Sequence, residues 1–208
     1  MRRPRRNHSA AFKARSALRV NATARGLNDL DWFAGWRPWV WSRAVRGVLG
    51  DPARFNGKRV LELGYRTGRM SCYFGLLGAT VHGMDLPDCK PQPAVDLANS
   101  LDVADRVSFG IYDGDLEKLE AGRWDFVFTK SVLVLLPIEW AAPAIRRLLA
   151  PGGQYLGCEN LVLPFGLNQL RNHQVGVNDR TFEVMAKHFS HVEVKSNLGL
   201  IASVVASA

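Results

Sequence analysis

Apolar and polar positions along this chain switch repeatedly between the two-residue period of a strand and the three-to-four-residue period of a helix. Arg59 to Leu63 (RVLEL) is a short apolar run of strand formers that stops at Gly64. An amphipathic segment follows, with Met70, Phe74 and Leu77 at helical spacing, and a second apolar run, Ala79 to Met84, ends at Asp85. After a loop from Pro87 to Pro93, Ala94 to Leu101 reads as a helix and Arg106 to Tyr112 as a third strand. Trp124 to Thr129 is a fourth strand, and Glu139 to Leu149 is a helix stopped by Pro151-Gly152-Gly153. Gln154 to Cys158 is a fifth strand. The strand runs are too continuously apolar for a half-exposed antiparallel sheet, so the alternation predicts a parallel sheet with helices on both faces.

The two ends depart from this alternation. Thr181 to His188 reads as a helix with Asp179 as its N-cap. His191 to Lys195 and Leu200 to Ala206 are strands joined only by Ser196-Asn197-Leu198-Gly199, a connection so short that the pair must be antiparallel. The predicted fold is therefore α/β: a doubly wound sheet of seven strands, mostly parallel, closed by an antiparallel C-terminal hairpin strand. Ahead of the first strand, Leu30, Phe33 and Trp36 repeat at helical spacing until Pro38 interrupts, and Val40, Ala44, Val45 and Val48 resume it. The expected organisation is a basic, disordered tail over residues 1–28, an aromatic-rich helical segment over 29–56, and the α/β domain over 57–208.

The chemistry sits at the first turn. Strand, glycine turn, helix, strand and terminal acid form the first half of a nucleotide-binding unit, in which backbone N–H groups and a helix N-terminus face the ligand. Counting from Gly64 for G-x-G-x-x-G puts Arg66 and Arg69 where glycines belong, so the dinucleotide pattern fails twice. The pattern E-x-G-x-G-x-G gives Glu62, Gly64, Arg66 and Gly68 and fails once, at Arg66. In that form the stretch resembles motif I of the class I S-adenosylmethionine-dependent methyltransferases, and the terminal hairpin matches their Rossmann-like sheet plan. The resemblance covers residues 57–206.

The resemblance implies a methyl transfer from S-adenosylmethionine and assigns roles by position. Glu62 would pair with the amino group of the methionine moiety, Gly64 and Gly68 would let backbone and helix approach the cofactor, and Asp85, followed by Leu86, would accept the ribose hydroxyls. Asp113 or Asp115 takes the acidic position that contacts adenine N6; counting from Val107 favours Asp113, counting back from Leu119 favours Asp115, and either also suits a cap for the short helix that follows. Arg66 stands where a side chain crowds the cofactor: its guanidinium either pairs with the methionine carboxylate or an anionic acceptor, or marks a damaged site. For a hydroxyl acceptor, His173, in the loop Asn168 to Val175 after strand five, is the expected general base. Lys130, Ser131, Glu159 and Asn160 end strands four and five, where acceptor contacts arise. His82, inside strand two, reads as structural. The tryptophans of residues 29–56 either pack on the sheet or line a lid over the cofactor and an aromatic or sugar acceptor.

Composition narrows the partners. The chain has 208 residues and a net charge of +8, yet residues 1–28 hold seven Arg, one Lys and no acid, while the other 180 residues hold 19 basic and 19 acidic side chains. The α/β domain thus has no overall basic field for a phosphate backbone. Three readings of the tail stay open: a solvated extension, a basic arm for RNA or an acidic surface, and an organelle presequence. Three distant cysteines fit neither a disulfide framework nor a zinc site, and no apolar run is long enough to span a bilayer, which suits a cytoplasmic protein. Thr129-Lys130-Ser131 replaces the Asn/Asp-Pro-Pro-Tyr of nitrogen methylation, and no acid cluster suggests a metal site. The expected acceptor is a small molecule or glycan, methylated at oxygen. An RNA or protein acceptor reached through the tail, or a non-catalytic binding domain, are the alternatives.

Overall fold

The computed structural model describes residues 30–34, 38–161 and 176–208, the side chains of residues 38 and 39 excepted. In chain order these form α1 (Leu30–Ala34), α2 (Pro38–Leu49), β1 (Arg59–Leu63), α3 (Arg69–Leu76), β2 (Thr80–Asp85), α4 (Gln92–Ser100), β3 (Val107–Ile111) and β4 (Trp124–Lys130). There follow α5 (Ile138–Leu148), β5 (Leu149–Asn160), α6 (Asp179–His188), β6 (His191–Asn197) and β7 (Ile201–Ser207). Short 3-10 turns cover Pro52–Phe55, Leu116–Lys118 and Leu133–Leu135.

The seven strands make one sheet in the order β3-β2-β1-β4-β5-β7-β6. β1 to β5 are parallel, and β7 enters antiparallel between β5 and β6. The winding reverses between β1 and β4, which opens a crevice at their carboxyl ends. The β6–β7 pair is antiparallel, as so short a connection demands, but its turn spans residues 198–200 and not 196–199: Ser196 and Asn197 belong to β6, paired with Ala202 and Ile201.

The period-two pattern sorts the core into two layers. Val60, Val81, Phe126, Phe128 and Leu156 face α1 to α4, where Phe33, Phe55, Tyr73 and Phe74 pack against them. Leu61, Leu63, Val127, Tyr155 and Val204 face the opposite way, onto Ala141, Ile145 and Leu148 of α5 and Met185 of α6. Val40, Ala44, Val45 and Val48 of α2 are buried in the first layer, and Ser203 Oγ of β7 donates to Ala44 O at 2.8 Å. Trp36 lies outside the described residues, as do the tail of 1–28 and His173.

Three further local expectations need correction. The N-cap of α6 is Asn178, not Asp179: Asn178 Oδ1 accepts from Thr181 N at 3.2 Å, and Thr181 Oγ1 accepts from Asn178 N at 3.2 Å. Asn178 wins because its extended backbone (φ −142°) aims the side chain at the first turn, while Asp179 is already helical. The fifth strand does not start at Gln154. It begins at Leu149, which pairs with Trp124, and a register shift before Phe126 absorbs Pro151-Gly152-Gly153 within the strand instead of letting them end a turn. The helix before it runs one residue short of expectation, Leu149 being extended (ψ 137°).

Candidate active site

The first turn is built by β1 handing the chain to α3. Gly64 N donates to Met84 O at 2.8 Å, which ties the end of β1 to β2. Gly64 has φ +77° and a Cβ there would lie 2.5 Å from Val132 Cγ2, so both backbone angle and space require glycine. Gly68 closes the turn, donating from its N to Tyr65 O at 2.7 Å. At Gly68 (φ +72°) a Cβ would meet Ala94 Cβ at 2.6 Å and the Phe109 ring at 2.8 Å, so this glycine lets α3 lie against α4 and β3.

Arg66 sits at the second position of that turn with φ +46°, and its side chain is exposed instead of filling the crevice. Its backbone N donates to Asp85 Oδ2 at 2.7 Å, and Leu86 N donates to Asp85 Oδ1 at 2.8 Å. The half-buried Asp85 carboxylate therefore bridges the two loops at the carboxyl ends of β1 and β2. Each of its oxygens has a further lone pair for a hydroxyl donor. Leu86 is 46% exposed, an apolar side chain held open beside that carboxylate.

Glu62 is buried on the α3 side of β1 and accepts a hydrogen bond from Ser71 Oγ. Burial pushes its carboxyl up to about 7, against the opposing pull of the Ser71 bond and the Lys130 charge. The register explains the Lys130 contact: Leu63 pairs with Thr129, so Lys130 stands beside Gly64 and on the same face as Glu62. Burial lowers the Lys130 ammonium, whose Nζ lies 4.8 Å from the centre of the Trp41 ring. Arg69, the first residue of α3, places its Cζ 4.7 Å over the Trp32 ring and donates to Trp32 O at 3.2 Å. Trp32 and Trp41 are both half-buried, with α2 itself packed on the sheet.

The opposite face of β4 and β5 carries a polar chain. Tyr155 hydroxyl donates to Thr129 Oγ1 at 2.6 Å, and Thr129 Oγ1 donates to Glu159 Oε1 at 2.7 Å. Glu159 is fully buried beneath the backbone N–H groups of Val132, Leu133 and Val134, and burial pushes its carboxyl to about 7. Asn160 Nδ2 donates to Ser131 Oγ at 3.1 Å, and Ser131 carries φ +58°.

The two aspartates after β3 separate cleanly. Asp115 is the N-cap of Leu116–Lys118, accepting from Glu117 N at 3.0 Å. Asp113 is exposed, bonded to Lys118 and accepting from Asp115 N at 3.1 Å. His82 shares a 2.7 Å hydrogen bond with Ser108 Oγ and stacks 6.2 Å from the Trp124 ring, within the sheet. Glu62, Gly64, Arg66, Gly68 and Asp85, with Leu86, the residues that the sequence pattern proposes, thus lie together at the carboxyl ends of β1 and β2 and the turn into α3. The pairings of Lys130 with Trp41 and Arg69 with Trp32 had no sequence signal beyond an aromatic cluster.

Residues 61–157 match the family model described as a methyltransferase domain. No curated protein sequence matches the chain. Among solved structures, geranyl diphosphate C-methyltransferase from Streptomyces coelicolor A3(2), in complex with Mg2+, geranyl diphosphate and S-adenosyl-L-homocysteine, superposes with TM-score 0.63 at 13% identity, over 80% of this chain and 79% of that one. An S-adenosylmethionine-dependent methyltransferase from Mesorhizobium loti gives 0.62 at 14% identity, over 81% and 98%. The [4+2]-cyclase SpnF gives 0.64 at 15%, over 79% of each. At these identities the superpositions establish the fold. The matched segment runs from β1 into β5, and the fold is the one that these S-adenosylmethionine-dependent methyltransferases share.

Proposed function

We propose that this protein methylates a small-molecule acceptor at oxygen, with S-adenosylmethionine held across the carboxyl ends of β1 and β2. The observation that carries the reading is the bridge from Asp85 to Arg66 N and Leu86 N, which fixes an acceptor-rich carboxylate over a glycine turn with no side chain at either Gly64 or Gly68. In this reading Asp85 accepts the ribose hydroxyls, Leu86 packs on the adenine, and Asp113 takes the adenine amino group by exchanging its Lys118 contact. Asp115 is the weaker candidate, being occupied as a helix cap. Glu62 receives the methionine amino group, and Arg66 swings its exposed guanidinium to the methionine carboxylate.

The cofactor supplies an already activated methyl group, so the chain's own task is alignment of donor and acceptor and exclusion of water. A hydroxyl acceptor must also lose a proton, and His173 is the base assigned to it. A small acceptor is supported by the charge balance outside residues 1–28 and by the small-molecule ligand of the geranyl diphosphate enzyme. Glycans belong to the same proposal, since half-buried Trp32 and Trp41 suit sugar faces as well as aromatic rings.

The test supplies radiolabelled S-adenosylmethionine and a cell extract to the full chain, then separates label in small molecules from label in RNA and protein. Label in the small-molecule fraction, with turnover reduced in His173→Ala, is the expected result. Label confined to RNA or protein, or no transfer at all, contradicts the reading.

A further inference from the structure

Two half-buried cations, Lys130 at the end of β4 and Arg69 at the start of α3, each lie over a tryptophan ring on the helical face that carries α1 to α3. Lys130 Nζ lies 4.8 Å from the Trp41 ring centre, and Arg69 Cζ lies 4.7 Å from that of Trp32. Neither makes an ion pair among the described residues, in contrast to Arg59, Arg106, Arg123 and Arg180, which all do. Lys130 also feels the positive charges of Arg69 and Arg66, and the opposing charge that acts on it most is Glu62, whose carboxyl is buried and bonded to Ser71. Trp32 Nε1 is buried without an acceptor among the described residues, which adds an unused donor beside Arg69. Burying cations against aromatic rings recovers only part of their lost hydration, which leaves the pair poised for an anion.

The donor cannot supply that anion alone. S-adenosylmethionine carries an ammonium, a sulfonium and one carboxylate, so its arrival adds net positive charge to a wall already rich in Arg66, Arg69 and Lys130. On the methyltransferase reading above, from which it follows, we propose that Arg69 and Lys130 form an anion-binding wall of the acceptor pocket. The acceptor is then a small molecule bearing a carboxylate or phosphate next to an apolar or aromatic skeleton that packs on Trp32 and Trp41. Arg69 offers a planar fork of donors and Lys130 a point charge, a combination that suits either oxyanion. Ser131, at φ +58° directly after Lys130, holds the end of β4 in a conformation that non-glycine residues adopt only where the surroundings impose it.

The test titrates benzoate, phenyl phosphate and neutral benzyl alcohol into the full chain, with and without saturating S-adenosylhomocysteine, and repeats this for Lys130→Met and Arg69→Met. The two variants lie on different elements, and Lys130→Met keeps side-chain length while relieving buried charge, so thermal melts of both identify the variant in which binding is read. The expected result is anion binding about tenfold or more tighter than that of benzyl alcohol, lost in both variants, with S-adenosylhomocysteine affinity held within about twofold. Which of benzoate and phenyl phosphate binds more tightly identifies the oxyanion. Equal binding of all three probes overturns the proposal. So does a variant that loses S-adenosylhomocysteine and not the probe, since the cations would then serve the donor's carboxylate. Lys130-dependent anion binding in a protein that binds no S-adenosylhomocysteine keeps the anion wall and defeats the methyltransferase reading instead.

Discussion

Arg66 concentrates the tension between this sequence and its fold. An L-residue at φ +46° costs about 1 kcal/mol that glycine would not. The turn keeps it because Arg66 N must point at Asp85, and that bond needs the backbone angle and not the side chain. Arg66→Gly should therefore raise stability by about 1 kcal/mol, read as a higher urea midpoint with unchanged slope. A lower midpoint would mean that the exposed guanidinium stabilises the fold. The misfit at Arg66 was legible as a missing glycine in the motif, and so were Glu62 and Asp85 at their strand ends. The choice of Asp115 over Asp113 as cap was not, because both satisfy the same spacing and only the backbone decides which side chain turns inward. Asn178 escaped for a similar reason: two adjacent cap-forming residues differ only in which is already helical.

At the scale of elements, two buried glutamates tie neighbouring elements together beside the crevice. Glu62 joins β1 to α3 through Ser71, and Glu159 joins β5 to β4 through Thr129. Burial raises both carboxyls to about 7 from an ordinary value near 4.5. Between those values the folded state holds protons that the unfolded chain has released, so stability falls as pH rises through this window. The slope is on the order of 1 kcal/mol per pH unit for each group. His82, lowered by burial and the Arg123 charge, acts in the opposite sense. The exposed carboxyls of Asp105, Asp113 and Glu139, lowered by their Arg and Lys partners, lose stability only at more acid pH. Thermal melts of the wild type and of Glu159→Gln between pH 5 and pH 7 should diverge, the wild type losing stability relative to the variant as pH rises; parallel curves would contradict the buried-charge account. The element order, the parallel sheet and the closing hairpin followed from periodicity and loop length. The early start of β5 did not, because Pro151-Gly152-Gly153 reads as a stop and becomes a bulge only once Leu149 has Trp124 to pair with.

For the whole molecule, the sheet reverses its winding between β1 and β4 and so opens a crevice at one edge, where the proposed function places the ligand. The sequence marked that edge through the residues within one βαβ unit, since those lie close in the chain. It did not mark the meeting of Arg69 with Trp32 or of Lys130 with Trp41, which joins α1, α2, α3 and β4 by long-range packing. Charge is likewise partitioned: the net +8 resides in residues 1–28, and the rest is balanced, so selectivity must come from local arrangement and not from an overall field. The most direct measurement is calorimetric titration of S-adenosylhomocysteine into the full chain and into Asp85→Ala. Saturable binding that weakens about tenfold or more in the variant is predicted, the loss expected when a carboxylate that receives two hydroxyls is removed. No heat of binding at millimolar ligand, or equal affinity in both proteins, would contradict it.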